Sequence, residues 1–481
     1  MLFLSLKKVL GWPELLALGT AGIIGTSWVY MNTRFYDIYG PGGTILGYLI
    51  GTLMAALIAL AYAEMGSAIK REGGEVAFVY PILGIKGSFA VAWMFILGYL
   101  TGALSFYVIG IGLLLSWIFP QIYTIPIYYV AGEPVYLPAL IIGIVGAIIF
   151  FSLNYIGAKI AGRVQLVLFG VLIGLGITIL ITSVIHGSLS NIQPFFKPGT
   201  NPLLLGFRFA LISIGYLAGF EMLPVLAEEA AVKPRTFGAV VAGSVVLAGL
   251  FYATMMFAGS LVMPWQEAVK VAPRGLIDEM AMIHVALGGA AWLASIIGLV
   301  TSWNAAMMGI SRIVFAMARA GLMPKAFEYI HPKYGTPTKA LIFVTIISII
   351  LGSLGLKGLI WFLDVTGVAL GFCWIISVLA MLIARKKPPH LHRPFKVPAG
   401  YVVGSIALIL ALIIWVMPLI PGTPVSLVWP YEYLLLIAWV ILGIIMYLIS
   451  RKRIKELGVE TIARNLLGEY YDEIYGARSG K

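Results

Sequence analysis

Apolar stretches long enough to cross a hydrocarbon layer of about 30 Å, at about 20 residues each, recur along nearly the whole of this chain. About twelve fit, at residues 13–30, 43–68, 88–117, 136–154, 160–185, 203–227, 237–263, 282–310, 338–354, 358–384, 401–419 and 430–450. In lipid every backbone N–H and C=O must find a partner within the protein, so spans of this length fold as helices. Residues that are 61% hydrophobic and 11% charged, with a mean hydropathy of +1.00, leave no room for an ordinary soluble domain. The predicted fold class is an all-α membrane protein of about 12 transmembrane helices.

Two of these spans are not plain helices. The first carries Gly19-Thr20-Ala21-Gly22-Ile23-Ile24-Gly25-Thr26-Ser27 at its centre, and the sixth carries Gly215-Tyr216-Leu217-Ala218-Gly219-Phe220-Glu221. A break at membrane depth frees backbone donors and acceptors that are tolerated only where they line a cavity or bind a solute, and paired broken spans point to a transport site. Small-residue helix packing would also use the glycines, but it needs neither the adjacent hydroxyls nor a matching partner. Five spans separate one break from the next, and an odd repeat length forces inversion. The expected architecture is therefore a 5+5 inverted repeat with broken helices 1 and 6. Residues 1–185 form the first repeat, 186–387 the second, 388–450 hold helices 11 and 12, and 451–481 form a cytoplasmic tail.

The formal charge of +12 fits the positive-inside rule rather than nucleic-acid binding, because no basic groove with interleaved aromatics accompanies it. Roughly 26 of the 32 basic residues fall on one side, leaving Arg34, Lys197, Arg208, Lys270, Arg274 and Lys357 outside or near it, so both termini are expected in the cytoplasm. The apolar run after Lys7-Lys8 has no small-residue cleavage site and is read as an uncleaved first span. The tail after Ser450 alternates charged and apolar residues, as a surface amphipathic helix or a solvated segment would. The lone Cys373 reads as a core residue, and His186, His284, His331, His390 and His392 show no metal-ligand spacing.

At the first break, the N–H groups of Gly25, Thr26 and Ser27 would begin the outer half-helix and suit a carboxylate. The carbonyls of Ile23, Gly215 and Ala218 would accept from an ammonium, and the two sets together describe a free α-amino acid. Tyr216 and Phe220 flank the second break and are the candidate gates among Trp93, Tyr99, Tyr107, Trp303, Trp361 and Phe362. Glu221 is an acid within a span, with proton binding, half-helix orientation and a purely structural bond as open roles, and Asp364 is a second such acid. Thr301 and Ser302, with the carbonyls of Ala21 and Ile24, offer four oxygens for a sodium ion. Back-bonding of those hydroxyls to their own helix is the equally strong alternative.

Several further stretches carry a resemblance. Gly22-Ile23-Ile24-Gly25-Thr26, Ala61-Tyr62-Ala63-Glu64-Met65-Gly66, Arg71-Glu72-Gly73-Gly74-Glu75 and Gly219-Phe220-Glu221 occur in order with Ala227-Glu228-Glu229 before Pro234-Arg235. They are followed by Ser311-Arg312 through Ala318-Arg319-Ala320-Gly321-Leu322-Met323-Pro324, Tyr334-Gly335-Thr336-Pro337 and Arg393-Pro394-Phe395-Lys396-Val397-Pro398. From Gly11 to Pro398 the chain resembles the amino acid–polyamine–organocation (APC) superfamily of transporters. The resemblance implies twelve spans, the leucine-transporter-type inverted repeat, and secondary transport of amino acids or related amines. It implies substrate contacts at Ile23, Thr26, Ser27, Gly215 and Ala218. Ser27 departs from the glycine of many relatives. Counting from Asn154-Tyr155-Ile156-Gly157 places the lysine of some proton-coupled relatives near Leu172, which cannot titrate.

The expected function is alternating-access transport of an amino acid, a neutral one slightly favoured, across the cytoplasmic membrane, by sodium or proton symport or by exchange. No cofactor, covalent chemistry or nucleic-acid partner is expected, and the sequence leaves the oligomeric state open. The rival readings are an amine or polyamine transporter and a membrane-embedded amino acid sensor that does not transport. A channel would need a continuous polar stripe, and an enzyme a cluster of His, Cys and Asp, that the spans lack.

Overall fold

The computed structural model describes residues 6–386 and 391–475. Lys387, His390, the boundary between the second repeat and helix 11, and the last six residues of the tail lie outside the described residues. The chain enters through α1 (Trp12–Ile23), α2 (Ser27–Tyr30) and α3 (Asn32–Ala68), then α4 (Glu75–Tyr99), which continues through a π-helical turn, Leu100–Ser105, into α5 (Phe106–Ser116). A two-stranded antiparallel ribbon, β1 (Pro126–Val130) and β2 (Glu133–Tyr136), precedes α6 (Leu137–Tyr155) and α7 (Ala158–His186). There follow α8 (Pro202–Tyr216), α9 (Met222–Val225), α10 (Pro234–Val262), α11 (Trp265–Val271), α12 (Leu276–Ile283) and α13 (Val285–Arg319). The series ends with α14 (Thr338–Gly352), α15 (Gly355–Ala384), α16 (Gly400–Val416), α17 (Tyr431–Leu467) and α18 (Tyr470–Tyr475).

Local chemistry sets several of these boundaries. Pro202 opens α8 where a missing N–H costs nothing, and the Asn201 side chain accepts from the N–H groups of Leu203 and Leu204. The imidazole of His284 does the same for Ala286 at the start of α13. α3 bends at Gly40, where φ is +70° ahead of Pro41, so its spanning part begins close to the predicted residue 43. α4 starts 13 residues before the expected 88, kinked at Gly84 with φ +66°. The ribbon in the loop after α5 is an addition to the all-α expectation.

Among the described residues, nine helices are long and apolar enough to cross a membrane, and α8 and α14 are shorter apolar helices. Their burial sorts them into layers. In the most apolar window, 72% of the residues of the α4–α5 helix and 61% of those of α15 lie inside the protein, against 11% for α17 and 22% for α6 and α7. The former pair forms the interior, while α6, α7 and α17 present Ile, Leu and Val outward as lipid would require. α10 packs along α3, and α3 along α8. Gly249 of α10 permits that approach, since a Cβ there would fall within 2.0 Å of the Thr52 hydroxyl on α3.

The described part of the tail, to Tyr475, packs on the protein. α17 runs past Ser450, bends at Gly458 (φ +76°), and buries Ile462, Ala463, Leu466 and Leu467 against the end of the bundle that also holds the N-terminal segment. Arg71 donates to the Leu466 and Asn465 carbonyls at 3.4 Å, and Asn465 donates to the Arg319 carbonyl at 3.0 Å.

Candidate functional site: two facing helix breaks

α1 stops at Ile23 because Ile24 is extended (φ −72°, ψ 94°), and helical geometry resumes at Ser27. The Tyr252 hydroxyl on α10 takes up the freed backbone. It accepts from the Gly25 N–H at 2.9 Å and donates to the Ile23 carbonyl at 3.1 Å. The Trp28 indole donates to the Gly25 carbonyl at 3.1 Å. The Ser27 hydroxyl is buried without a protein partner. The half-helix after the break, α2, is one turn long before the chain bends at Met31 into α3, so its donors are local N–H groups rather than a long helix dipole.

The second break abuts the first. Gly219 has φ +137°, and a Cβ there would stand 2.8 Å from Ile23 Cγ1 and 3.1 Å from the Ile23 nitrogen. Only glycine permits both that backbone conformation and that approach. Glu221 caps the break, accepting from the Gly219 N–H at 3.0 Å. Phe220 is fully buried between Tyr62 (5.4 Å between ring centroids) and Trp374 (5.9 Å). Tyr216 is half-buried against Phe35 at 5.9 Å. Gly22, Gly25 and Ala218 are partly accessible and Gly215 is exposed, with nothing within 4 Å of where its Cβ would be. The breaks are therefore accessible at Gly22, Gly25, Gly215 and Ala218, with open space at Gly215, whereas Ala305 stands 3.1 Å from where a Cβ of Gly22 would be.

α13 crosses behind the first break. The Ser302 hydroxyl lies 3.3 Å from the Ala21 carbonyl and 3.4 Å from that of Ile24, bringing three of the four candidate sodium oxygens together. The Thr301 hydroxyl instead bonds the Ile297 and Gly298 carbonyls of its own helix, at 2.9 and 3.1 Å. Leu172 is buried on α7, but the polar group that this helix sends between α1 and α13 is Gln165, two turns earlier. Its amide donates to the Thr301 carbonyl at 3.1 Å and accepts from Asn304 at 2.9 Å, and Asn304 in turn accepts from Asn154 at 3.0 Å.

Gln165, Asn304, Asn154 and Tyr252 escaped the sequence reading. The available signal was that each is a strong hydrogen-bonding side chain inside an apolar span, where lone polar groups are seldom idle. Four of the other aromatic candidates make ring contacts within the protein. Trp93 stacks on Trp439 at 4.6 Å, Trp361 on Tyr431 at 4.9 Å, and Trp303 packs between Phe150 and Tyr107. Asp364 is half-buried on α15, and the Cys373 thiol donates to the Val91 carbonyl at 3.4 Å.

Below the breaks, the charged motif residues close one end of the bundle. Arg71 pairs with Glu228 at 3.3 Å, Arg319 with Glu72 at 3.5 Å and Glu228 at 3.6 Å, and the fully buried Arg312 with Glu229 at 2.9 Å. The N-terminal segment is laced in: the Leu6 N–H donates to Glu228, and Leu10 runs parallel to Ala230 in a β-bridge. Burial and the neighbouring Glu228 push the Glu72 carboxyl well above its ordinary range despite Arg319, and burial raises Glu229 against the pull of Arg312. Glu64 binds both Arg385 and Arg393 and accepts from the Val397 N–H at 2.8 Å, so sequence stretches more than 320 residues apart form one lock.

A family model described as amino acid permease matches residues 10–447. The chain is 28% identical over 468 residues to the branched-chain amino acid permease BcaP of Bacillus subtilis, covering 94% of this chain and 95% of that one. It is 25% identical to the methylthioribose transporter of the same organism, covering 93% and 94%. It is 22% identical to that organism's aspartate-proton symporter, covering 84% and 78%.

Proposed function

The chain belongs to the amino acid permease family of the APC superfamily, and from that membership we propose that it is a secondary active transporter moving a neutral, apolar amino acid across the cytoplasmic membrane by alternating access. The contact between Gly219 and Ile23 carries this reading, because it sets two unwound segments side by side at the depth where a solute is bound. The substrate carboxylate meets the N–H groups of Thr26 and Ser27 with the Ser27 hydroxyl, and its ammonium meets the free carbonyls of Gly215 and Ala218. Ile23 contributes its side chain, since its carbonyl is bonded to Tyr252. Tyr216 and Phe220 wall the pocket, with Tyr216, the less buried of the two, as the mobile gate. The likeness to a branched-chain permease supports a neutral substrate over a polyamine or a methylthioribose-like one.

Two shorter helices and the broken first span, added to the nine long ones, support twelve crossings, read as two inverted five-span repeats and two appended helices. The positive-inside count favours placing both termini, and the ion-paired end with them, in the cytoplasm. The tight ion pairing there and the open space at Gly215 support an outward-facing, inwardly closed state. Coupling is to a cation or to exchange. Ser302 with the Ala21 and Ile24 carbonyls supports sodium, whereas the self-bonded Thr301 and the Gln165 N–H directed at its carbonyl disfavour a full sodium shell. Likeness to a proton symporter adds to the case for a proton.

Reconstituted uptake of each proteinogenic amino acid, with a sodium gradient and a proton gradient applied separately, tests this reading. Accumulation of leucine, isoleucine or valine is expected. Binding without net movement of any amino acid would establish a sensor instead.

A further inference from the structure

Six buried side chains meet behind the second break, and none of the charged or aromatic ones among them has its polar atoms fully satisfied. Glu75 stands at the start of α4, Glu221 in the break, Tyr62 on α3, Tyr99 at the end of α4, and Trp374 and Ser377 on α15. All are at most 6% exposed. Both Glu75 carboxyl oxygens, Glu221 Oε1, the two tyrosine hydroxyls, the Trp374 indole N–H and the Ser377 hydroxyl lack protein partners. They nonetheless lie within electrostatic range of one another, Tyr99 and Trp374 of Glu221, Tyr62 of Glu75, Ser377 of Tyr62, and the two carboxyls of each other. Cys373, near both carboxyls, and Tyr107, near Tyr99, are further titratable groups against this cluster.

Buried polar atoms are nearly always paired, so this concentration of orphans in one place marks a site for water and a small cation. The other buried acids of the closed end, Glu64, Glu72, Glu228 and Glu229, each hold an arginine within 4 Å, whereas Glu75 and Glu221 form no such ion pair among the described residues. Two uncompensated carboxylates within electrostatic range of each other in a medium of low dielectric repel, and a proton is the one cation that needs no ligand shell to neutralise them.

We propose that Glu75 and Glu221 form a carboxyl pair that takes up and releases one transported proton, bridged by the Tyr62 and Tyr99 hydroxyls and by water. The pair keeps one proton throughout, and the second is the one carried. On uptake, the incoming proton joins the remaining carboxylate and the pair becomes neutral; on release, one carboxylic O–H bond breaks and its electron pair stays on the oxygen. Glu75 is the member that exchanges with the closed end, because it lies three residues after Glu72 on a loop whose Gly73 N–H bonds the Val225 carbonyl beneath the break. Glu221 is the member that reports to the substrate, because its other oxygen holds the Gly219 N–H. The inference rests on the transport reading for its coupling step but not for the proton site itself.

Two measurements on the full-length protein separate the two. In detergent, the infrared carbonyl band of protonated carboxylic acid should titrate with pH in the wild type and lose a component in Glu75→Gln and in Glu221→Gln. In liposomes with a trapped pH-sensitive dye, Glu75→Gln should cut leucine-driven proton movement by about tenfold or more relative to leucine counterflow. A band indifferent to Glu75→Gln, or an unchanged ratio of proton movement to counterflow, would overturn the proposal. Absence of counterflow in the wild type would defeat the transport reading while the infrared band still decides the proton pair. Should Glu75→Gln not insert, Tyr62→Phe keeps both acids and removes one bridge, and a carboxyl titration that does not shift in that variant overturns the site equally.

Discussion

The Tyr252 hydroxyl, 2.9 Å from the Gly25 nitrogen, is the hinge pin of the first break: one oxygen on α10 satisfies both a donor and an acceptor that the unwound segment leaves free. Tyr252 also stacks face to face on Tyr48 of α3 at 4.9 Å, which fixes where that oxygen points. Tyr252→Phe keeps the stack and strips hydrogen bonds from the buried Ile23 carbonyl and the partly accessible Gly25 N–H, a loss of about 1–3 kcal/mol for the buried group left unpaired. The variant should melt at lower temperature in detergent and lose most of its uptake. A melting temperature and uptake rate equal to wild type would show that the break needs no such pin.

Gly219 makes a sharper steric test. An alanine there must adopt φ +137° and push its Cβ to 2.8 Å from Ile23, so Gly219→Ala should separate the breaks and abolish leucine uptake. The control is Gly174 on the lipid-facing side of α7, where an added Cβ meets nothing within 4 Å, and Gly174→Ala should transport as wild type. Initial rates in proteoliposomes, corrected for the amount inserted, decide it. Uptake by Gly219→Ala at more than half the wild-type rate would mean that the two segments need not touch.

What the sequence made legible follows from where each signal is local. Three glycines and adjoining hydroxyls announced the first break, and Glu221 announced the second, because interruptions and acids stand out against an apolar run. The partners of those groups were not legible. Nothing near Tyr252 in Leu250-Phe251-Tyr252 says that its oxygen reaches Ile23 more than 220 residues away, and only the packing of α10 on α1 does so. The same holds for Gln165: counting along α7 led to Leu172, while the face turned to α1 and α13 is set by helix rotation. The docking of the tail was not legible for a related reason. Its amphipathic pattern fits a membrane surface and a protein surface equally, and the choice between them lies in Arg71 and Arg319, which are far away in sequence.

Arg312 and Glu229, both almost fully buried, make a pair whose removal is asymmetric. The guanidinium donates twice to one carboxylate oxygen, at 2.9 Å through both Nε and Nη2, and once to the Ser311 hydroxyl at 3.0 Å. Arg312→Met should destabilise the protein by about 3–5 kcal/mol, because it strands a buried carboxylate. Arg312→Met with Glu229→Leu should regain most of that loss, since neither charge is then buried alone. Thermal unfolding of the wild type and the two variants measures the difference. Equal melting temperatures for the single and double variants would show that the pair is not energetically coupled.

Glu279 on α12, outside the spanning helices, offers a pH signature of its own. It accepts from the Asn32 amide at 2.8 Å, tying the start of α3 to α12, while its other oxygen has no partner. Burial, reinforced by the adjacent Asp278 and opposed by Asn32, lifts its carboxyl from 4.5 to about 8. A folded-state value above the unfolded one means that the folded protein binds the proton more tightly, so stability falls as pH rises between those two values and levels off above the upper one. The full span amounts to at most about 5 kcal/mol. Glu279→Gln retains an oxygen acceptor for Asn32 and carries no charge, so it removes the slope. Its melting temperature relative to wild type should therefore climb from about pH 5 to about pH 8 and level off above that. A difference that stays flat across that range would place the Glu279 titration elsewhere and leave the Asn32 bond insensitive to pH.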